Sequence, residues 1–442
     1  MYHDISQPLD KADIPPIAAG RRKVAAGGNF GDASTGPATD PGRIVGEQGK
    51  DAVTVKLAED FRVIDADTHF IEAGDLWTRR APKGYEERVP RILPIDGINH
   101  WVLDGVALAP VRGGGVVDRD GNKSAFVESF DWGLDRIHRA AFDLDTRLAL
   151  MDDCGVHAQV LFPSAIGIGG HTLANATVEP MLRRLVVELY NDAMAELLES
   201  SGRRFLPMAV MPAWSVDDCV REATRAARLG FRGVNMTSDP DETGAPDLAS
   251  REWDPLWEVC ADLSLPVHFH IASSLSQMDF YGKYFWASQH EYVKPAIGGS
   301  MLFLGSARVV INSIFAGIFD RHPKLKMVAV ESGLGWIPFI LETMDYEIWE
   351  NAPAQAAELS RMPSEYFASN WYATFWFERA KGNLQALVDA VGEDNLLFET
   401  DFPHPTCLYP DPLGTMDAKM SLLRPESQRK IMGDNAAKLY RL

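Results

Sequence analysis

Four short apolar runs, far apart along the chain, each carry a side chain able to ligate a metal ion at or near the end of a strand-like stretch. They are VIDADTH, ending at His69; LPVHFH, ending at His270; KMVAVES, containing Glu331; and NLLFETD, ending at Asp401. Each is followed by a loop and then by helix-like sequence. A closed parallel barrel brings four such strand ends to one mouth, which is where barrels of this kind carry their chemistry.

The rest of the chain supports that closure. FRVIDADTH, starting at Phe61, is mostly apolar and suits a strand covered on both faces. A long stretch to about residue 140 follows, including GINHWVLDGVALAPVRGGGVVDRDGNKSAF, where alternation and a DG turn predict hairpins. From Asp143 the pattern becomes regular. DTRLALMDDCGV, MLRRLVVELYNDAMAELLESSG, VDDCVREATRAARLG, WDPLWEVCADLS, IPFILETMDYEIWENA and the closing ESQRKIMGDNAAKLYRL read as helices. HAQVLFPS, RFLPMAVMP, FRGVNMT, LPVHFHIA and KLKMVAVES read as strands, with a less regular region over 273–300. Strand and helix alternate, which implies a parallel sheet. The expected fold is α/β, a distorted (β/α)8 TIM barrel over 59–442. It carries a lid-like insertion over about 75–140, after the first strand, and an irregular Gly/Pro-rich arm over 1–58. A doubly wound open sheet is the alternative, disfavoured because no Gly-rich phosphate loop follows an early strand.

Bulk properties narrow the function. Of 442 residues, 46% are hydrophobic and 24% charged, ample for a large core. The net charge of −19 argues against nucleic acid, which needs a basic stripe. No stretch reads as reaching the roughly 18 to 20 apolar residues of a membrane span. The N-terminal MYHDISQPLDKADIPP lacks a basic region followed by an apolar run, so no signal peptide is expected. Cys154, Cys219, Cys260 and Cys407 form no CxxC pair, which predicts reduced, mostly buried thiols in a cytoplasmic protein and no cysteine zinc site.

Residues two apart share a strand face, so Asp65, Asp67 and His69 are expected to point one way, as are His268 and His270. Carboxylate and imidazole together suit a divalent first-row metal. Each signal has a plainer reading: a satisfied core histidine, an ion-paired or helix-capping Glu331, a strand-end turn at Asp401. A barrel explains them jointly.

At this point the chain resembles the amidohydrolase-related branch of the metal-dependent hydrolases, the branch that includes aromatic-acid decarboxylases. The resemblance runs from about Arg62 to Leu442 and rests on IDADTHFIE, LPVHFHIAS, HPKLKMVAVESGLGWIPF, ETDFPHP and GDNAAKLY. It implies a distorted (β/α)8 barrel with one divalent metal at its C-terminal mouth. It implies Asp67 and His69 as the first-strand ligand pair, His270 as the next ligand, and Asp401 as the final-strand aspartate that binds metal and shuttles a proton. Glu331 stands where many members carry a histidine acting as ligand or acid/base, and His268 exceeds the pattern.

With Glu72 and His404 the potential donors number eight: Asp67, His69, Glu72, His268, His270, Glu331, Asp401 and His404. One metal with open positions uses about three or four protein ligands. Eight donors suffice for two metals roughly 3.5 to 4 Å apart, with Glu72 and His268 as the second-metal candidates and His404 orienting Asp401 or substrate. Zinc, manganese and iron all suit the set. The expected function is a metal-dependent hydrolase or carboxy-lyase acting on a small organic acid or amide, with Asp401, Glu331 and His404 as catalytic candidates. The missing histidine tilts this reading toward hydrolysis. Alternatives are a dinuclear Fe/Mn oxygenase on the same barrel and a non-catalytic partner subunit of an active homologue. Trp101, Phe130, Trp132, Phe280, Tyr281, Phe285 and Trp286 suggest an apolar pocket, with Trp132, Phe280, Tyr281 and Trp286 as substrate-binding candidates. A homo-oligomer is expected from the resemblance, and a hetero-oligomer with a homologue is the variant of it.

Overall fold

The computed structural model describes residues 61–111, 114–283 and 285–442; the arm expected over 1–58 lies outside them. Twelve strands occur in chain order among these residues. They are β1 (Val63–His69), β2 (Arg91–Ile95), β3 (Ile98–Leu103), β4 (Val106–Pro110), β5 (Val156–Phe162), β6 (Phe205–Pro207), β7 (Ala209–Val210), β8 (Val234–Asn235), β9 (Val267–His270), β10 (Met327–Val330), β11 (Trp371–Phe375) and β12 (Leu396–Phe398).

The parallel strands run in the orders β1-β5-β6 and β7-β8-β9-β10-β11-β12. Met208 joins β6 to β7 as one interrupted strand: its N–H donates to Leu161 O at 3.0 Å, while that of Ala209 donates to Gly233 O at 3.1 Å. At the other seam Thr68 bridges Phe402 in parallel. There the Asp401 N–H donates to Asp67 O at 2.9 Å and the His69 N–H to Phe402 O at 2.8 Å. The ring is therefore closed, with eight strands once β6 and β7 are counted together. The strand over 371–375 was not foreseen. WYATF follows a helix without a break, and so short an apolar run has no periodicity of its own.

The stretch between β1 and β5 holds the antiparallel sheet β2-β3-β4. Its two turns are Asp96-Gly97 and Asp104-Gly105, all four residues at positive φ, as tight two-residue hairpins require. The region over 273–300 contains helices Leu275–Gly282 and Lys294–Leu302. The second continues past Phe303 into Leu304–Phe315. Within this 22-residue run, the most apolar 18-residue window has a mean hydropathy of 1.4 and is half buried in the fold. The expectation that no stretch has the length and apolarity of a span is corrected here: this one does, because its apolar residues serve packing against the barrel wall.

Inside the ring, alternate residues of several strands (Ile64, Ala66, Val160, Leu206, Val328, Leu397) pack with Leu439 and Tyr440 of the C-terminal helix Asn435–Tyr440. His268 belongs to this interior. Its Nδ1 lies 2.9 Å from Val234 O and its Nε2 2.9 Å from Tyr440 Oη. The carbonyl requires the proton on Nδ1, so Nε2 accepts from the tyrosine. Burial lowers the imidazole to about 4 and keeps it neutral. His268 is a satisfied core residue and not a second-metal ligand.

The other buried polar system lies behind β1. Helix Leu144–Cys154 is capped by Asp143, which accepts from Thr146 N, and it ends on left-handed Gly155. Its fully buried Arg147 donates from Nε to Ala140 O (2.6 Å), from Nη2 to His69 O (2.6 Å) and from Nη1 to Gln159 Oε1 (3.0 Å). Gln159 in turn donates to Asp65 Oδ2 at 3.0 Å. One cation thus ties the insertion, the end of the first strand and the second barrel strand together.

Arg147→Met will destabilise the fold by about 3 kcal/mol in urea titrations, because three buried acceptors lose their donor and Asp65 its cation. Tyr440→Phe will cost roughly 1–3 kcal/mol by leaving His268 Nε2 unpaired, with metal content per chain unchanged. A fall in metal content would restore His268 as a ligand.

Candidate metal centre

The donors meet because β1 breaks step. Ile64 and Ala66 face the inner core, so strict alternation would send Asp65, Asp67 and His69 together to the other side. A register shift between Asp65 and Thr68 prevents this. Asp65 stays behind the strand, accepting from Thr400 N (2.8 Å), Thr400 Oγ1 (2.7 Å) and Gln159. Asp67 and His69 turn toward the mouth. The expected shared face of the three is corrected accordingly.

Asp67 Oδ2 lies 3.3 Å from His270 Nε2, and Asp67 Oδ1 lies 3.6 Å from His69 Nε2. His69 Nε2 is 3.7 Å from Asp401 Oδ1, and His270 Nε2 is 3.9 Å from Glu331 Oε2. His404 Nδ1 sits 3.2 Å from Asp401 Oδ1, and its ring stacks on His69 at 3.7 Å between centroids. Ligand atoms fall within 4.8 Å of one another in three overlapping sets: Asp67, His69 and His270; His69, Asp401 and His404; Asp67, Glu331 and Asp401.

The chemistry of this set fits a cation. The Asp67 oxygens, His69 Nε2, His270 Nε2 and Asp401 Oδ1 are buried without a hydrogen-bond partner. So many orphaned polar atoms at one point carry a large desolvation cost unless something positive completes them. His270 Nδ1 donates to Ile271 O at 2.8 Å, which turns the Nε2 lone pair toward the carboxylates. Burial lowers His69 well below its usual range and His270 to about 4, so both rings are neutral, as ligands must be. Burial, followed by repulsion from Asp401, pushes the Asp67 and Glu331 carboxyls well above theirs.

The backbone is held to suit. Glu331 and Asp401 both sit at left-handed φ, 53° and 58°, a costly state for a residue with a side chain. For Asp401 the N–H to Asp67 O and the carbonyl that accepts from His404 N at 2.8 Å secure it. For Glu331 the N–H donates to Glu399 Oε2 at 3.3 Å. The turn beyond is pinned by Trp336 Nε1 on Ser332 O at 2.9 Å and by Glu378 Oε1, which accepts from Leu334 N.

Four of the donors, Asp67, His69, His270 and Asp401, are wholly buried, whereas Glu331 is 13% and His404 19% exposed. Approach from solvent is therefore over Glu331 and His404. Thr406 stands on that side, its hydroxyl donating to Asp401 Oδ2 at 2.7 Å.

Other expected site residues lie elsewhere. Glu72 is captured by the loop after β5, accepting from Ser164 N (2.8 Å) and Ala165 N (3.1 Å); with His268 in the core, neither second-metal candidate joins the cluster. Trp132 is buried against Ile71, two residues beyond His69. Tyr281 packs on Gly298 and Phe280 is half-buried. Trp286 is 78% exposed, which removes it from any enclosed pocket. Sequence reasoning missed Glu399 and Thr406. Glu399 was detectable: it is a carboxylate two positions before Asp401 at the end of an apolar run.

The sequence profile of the Amidohydrolase family matches residues 64–442. A gamma-resorcylate decarboxylase of Polaromonas sp. (strain JS666 / ATCC BAA-500) is 29% identical over 301 residues, spanning 64% of this chain and 83% of that protein. A 2-amino-3-carboxymuconate-6-semialdehyde decarboxylase of Dictyostelium discoideum is 22% identical over 265 residues, 60% of this chain and 67% of that one. In three dimensions the chain is similar to an amidohydrolase of Mycobacterium avium subsp. paratuberculosis K-10 (TM-score 0.67, 21% identity, 86% of this chain and 99% of that one). It is also similar to a dihydroxybenzoic acid decarboxylase of Polaromonas sp. JS666 solved with manganese and 2-nitroresorcinol (TM-score 0.56, 19% identity, 86% and 97%). At these identities the structural likeness is one of fold. With a profile matched along almost the whole described barrel and a donor cluster at its mouth, the chain belongs to the amidohydrolase family and is a metal-dependent enzyme, a hydrolase or a decarboxylase.

Proposed function

We propose that the chain is a metal-dependent carboxy-lyase that removes CO2 from a small organic acid, with aromatic acids the favoured class. The observation that carries the reading is the convergence of partnerless buried donor atoms on Asp67, His69, His270 and Asp401, in a chain whose curated relatives named above are decarboxylases. Those four residues hold the cation, with Glu331 within reach as a further ligand. A divalent metal bound there supplies a Lewis-acidic seat that orients a carboxylate and a neighbouring oxygen. Asp401 is the proton donor, its carboxyl oriented by the Thr406 hydroxyl on Oδ2 and by His404 beside Oδ1. The bond between the substrate carbon and its carboxylate breaks, the electron pair stays on that carbon, and Asp401 protonates it as CO2 leaves. His404, the more exposed partner, returns a proton from solvent to Asp401.

Glu331 in place of a histidine tilts the residues toward hydrolysis, in which Asp401 takes a proton from water and passes it to the leaving group; the relatives tilt the balance the other way. The dinuclear oxygenase is the second reading, favoured by three donor sets that overlap through Asp67, His69 and Asp401. Six clustered donors exceed what one ion needs. Two Fe or Mn per chain with oxygen-dependent turnover would replace the first reading with it. We also place the insertion over about 75–140 as a cover for the mouth, on the support that Val116 N–H donates to Pro403 O at 3.0 Å and Gly114 lies against the His404 ring.

Asp401→Asn will lower CO2 release from hydroxylated benzoic acids by about 10²–10⁴-fold with the fold intact. Release that survives this change undiminished excludes the proton role. Metal removal has a pH signature. In the metal-free fold the Asp67, Glu331 and Glu399 carboxyls are raised, so they bind protons more tightly folded than unfolded. Stability from this source is present in acid and is lost as pH rises. Between about pH 7.5 and 9, where the unfolded histidines are also neutral, the Tm of chelator-treated protein will fall while that of metal-loaded protein holds. A gap between the two that stays constant across the window would disconnect these carboxyls from the metal.

A further inference from the structure

At the end of the barrel opposite the donors, the segments that lead into β9 and β10 and the C-terminal helix enclose a cavity of about 450 Å3. Its lining gathers Lys324, Lys326, Lys438 and Arg441 and contains no Asp or Glu. The fold sets this position. Pro266, in the wall, directly precedes β9, whose far end is His270; Lys326 directly precedes β10, beyond whose far end stands Glu331. Lys438 and Arg441 come from the end of the helix whose Leu439 and Tyr440 plug the inner core.

Charge makes the cavity unusual. The chain carries a net −19, yet four cations converge here, and among the described residues none of them pairs with a carboxylate. Two are anchored by backbone carbonyls: Lys326 Nζ donates to Ser369 O at 2.5 Å and Arg441 Nη1 to Leu263 O at 2.8 Å. Each anchor uses one donor, where an ammonium offers three and a guanidinium five. Burial first, then the charges of Lys438 and Arg361, holds the Lys326 ammonium below its usual range. Like charges gathered at a concave surface focus a positive potential. The volume is in the range of small-molecule sites.

We propose that this cavity binds a small multivalent oxyanion, carried as a phosphate or as two or more carboxylates, at a site remote from the metal centre. The proposal does not depend on the carboxy-lyase reading. Titration calorimetry on the full-length, metal-loaded protein at low ionic strength, with inorganic phosphate and with succinate as probes, tests it. The wild type will bind at least one of the two, and the one bound names the head group. Lys324→Glu with Lys438→Glu, both exposed positions, will weaken that binding at least tenfold, about 1.4 kcal/mol. The milder pair Lys324→Ser with Lys438→Ser, checked for folding by circular dichroism, will weaken it in the same direction. Asp401→Asn will leave it unchanged, since the metal centre is not the seat. Binding of neither anion up to about 10 mM overturns the proposal. So does undiminished binding in a correctly folded lysine variant, or loss of binding in Asp401→Asn.

Discussion

The structure depends on how its last strand is sewn to its first. Asp401 N–H on Asp67 O and His69 N–H on Phe402 O are two ordinary backbone bonds, yet they close an eight-stranded ring across more than three hundred residues of chain. The same bonds set Asp401 beside Asp67 and His69, because the residues that make the seam are the ones that carry the donors. Closure and site are therefore one event. A barrel that failed to seal here would also lack its metal centre, since the contacts that bring the final aspartate to the first-strand pair, the seam bonds and the Asp65 anchor on Thr400, all lie at this junction.

Holding such a site together requires an opposing network, and the fold places it behind and beneath the donors. Arg147 clamps the His69 carbonyl from outside the ring, and Asp65 anchors Thr400, one residue before Asp401. Glu399 receives the Glu331 amide. Each of these groups is buried and polar, an expensive arrangement unless every donor finds an acceptor. They position backbone, while the donors above them keep at least one side-chain atom each uncommitted, such as His270 Nε2 and Asp401 Oδ1. This division between fixed lower groups and free upper ones is what preorganisation at a metal site demands.

How much of this could be read from the sequence follows from distance along the chain. Strand ends were legible because apolar runs followed by loops mark them locally, and His69, His270, Glu331 and Asp401 do meet. Depth was not legible. His268 shares a face with His270, but two residues at about 3.3 Å each put it well below the mouth, where Tyr440, 172 positions away, claims it. Nor was the slip in β1 legible, since period two is all that a sequence offers and a register shift cancels it. Glu72 lies only three residues past His69 but belongs to the amides of Ser164 and Ala165, which only the folded loop supplies. For His268 and Glu72 the cause is the same: a partner from a remote segment overrides the local pattern.

Glu331 gives the site its individual character. Where the family resemblance leads one to expect a neutral imidazole, this chain adds a carboxylate facing Asp401 and Asp67, with Glu399 beneath. At an effective dielectric near 20, two like charges about 4 Å apart repel by roughly 4 kcal/mol. Three clustered carboxylates with two neutral histidines exceed the charge of one divalent ion, an excess that a retained proton or a second cation would offset. The first outcome leaves a protonated group at the mouth, which is what a carbon losing its carboxylate needs from Asp401 or Glu331. The second leaves an oxygen-rich bridge suited to harder ions such as manganese or iron. On the proposed reading, how that excess negative charge is shared between protons and metal separates the carboxy-lyase from the dinuclear alternative.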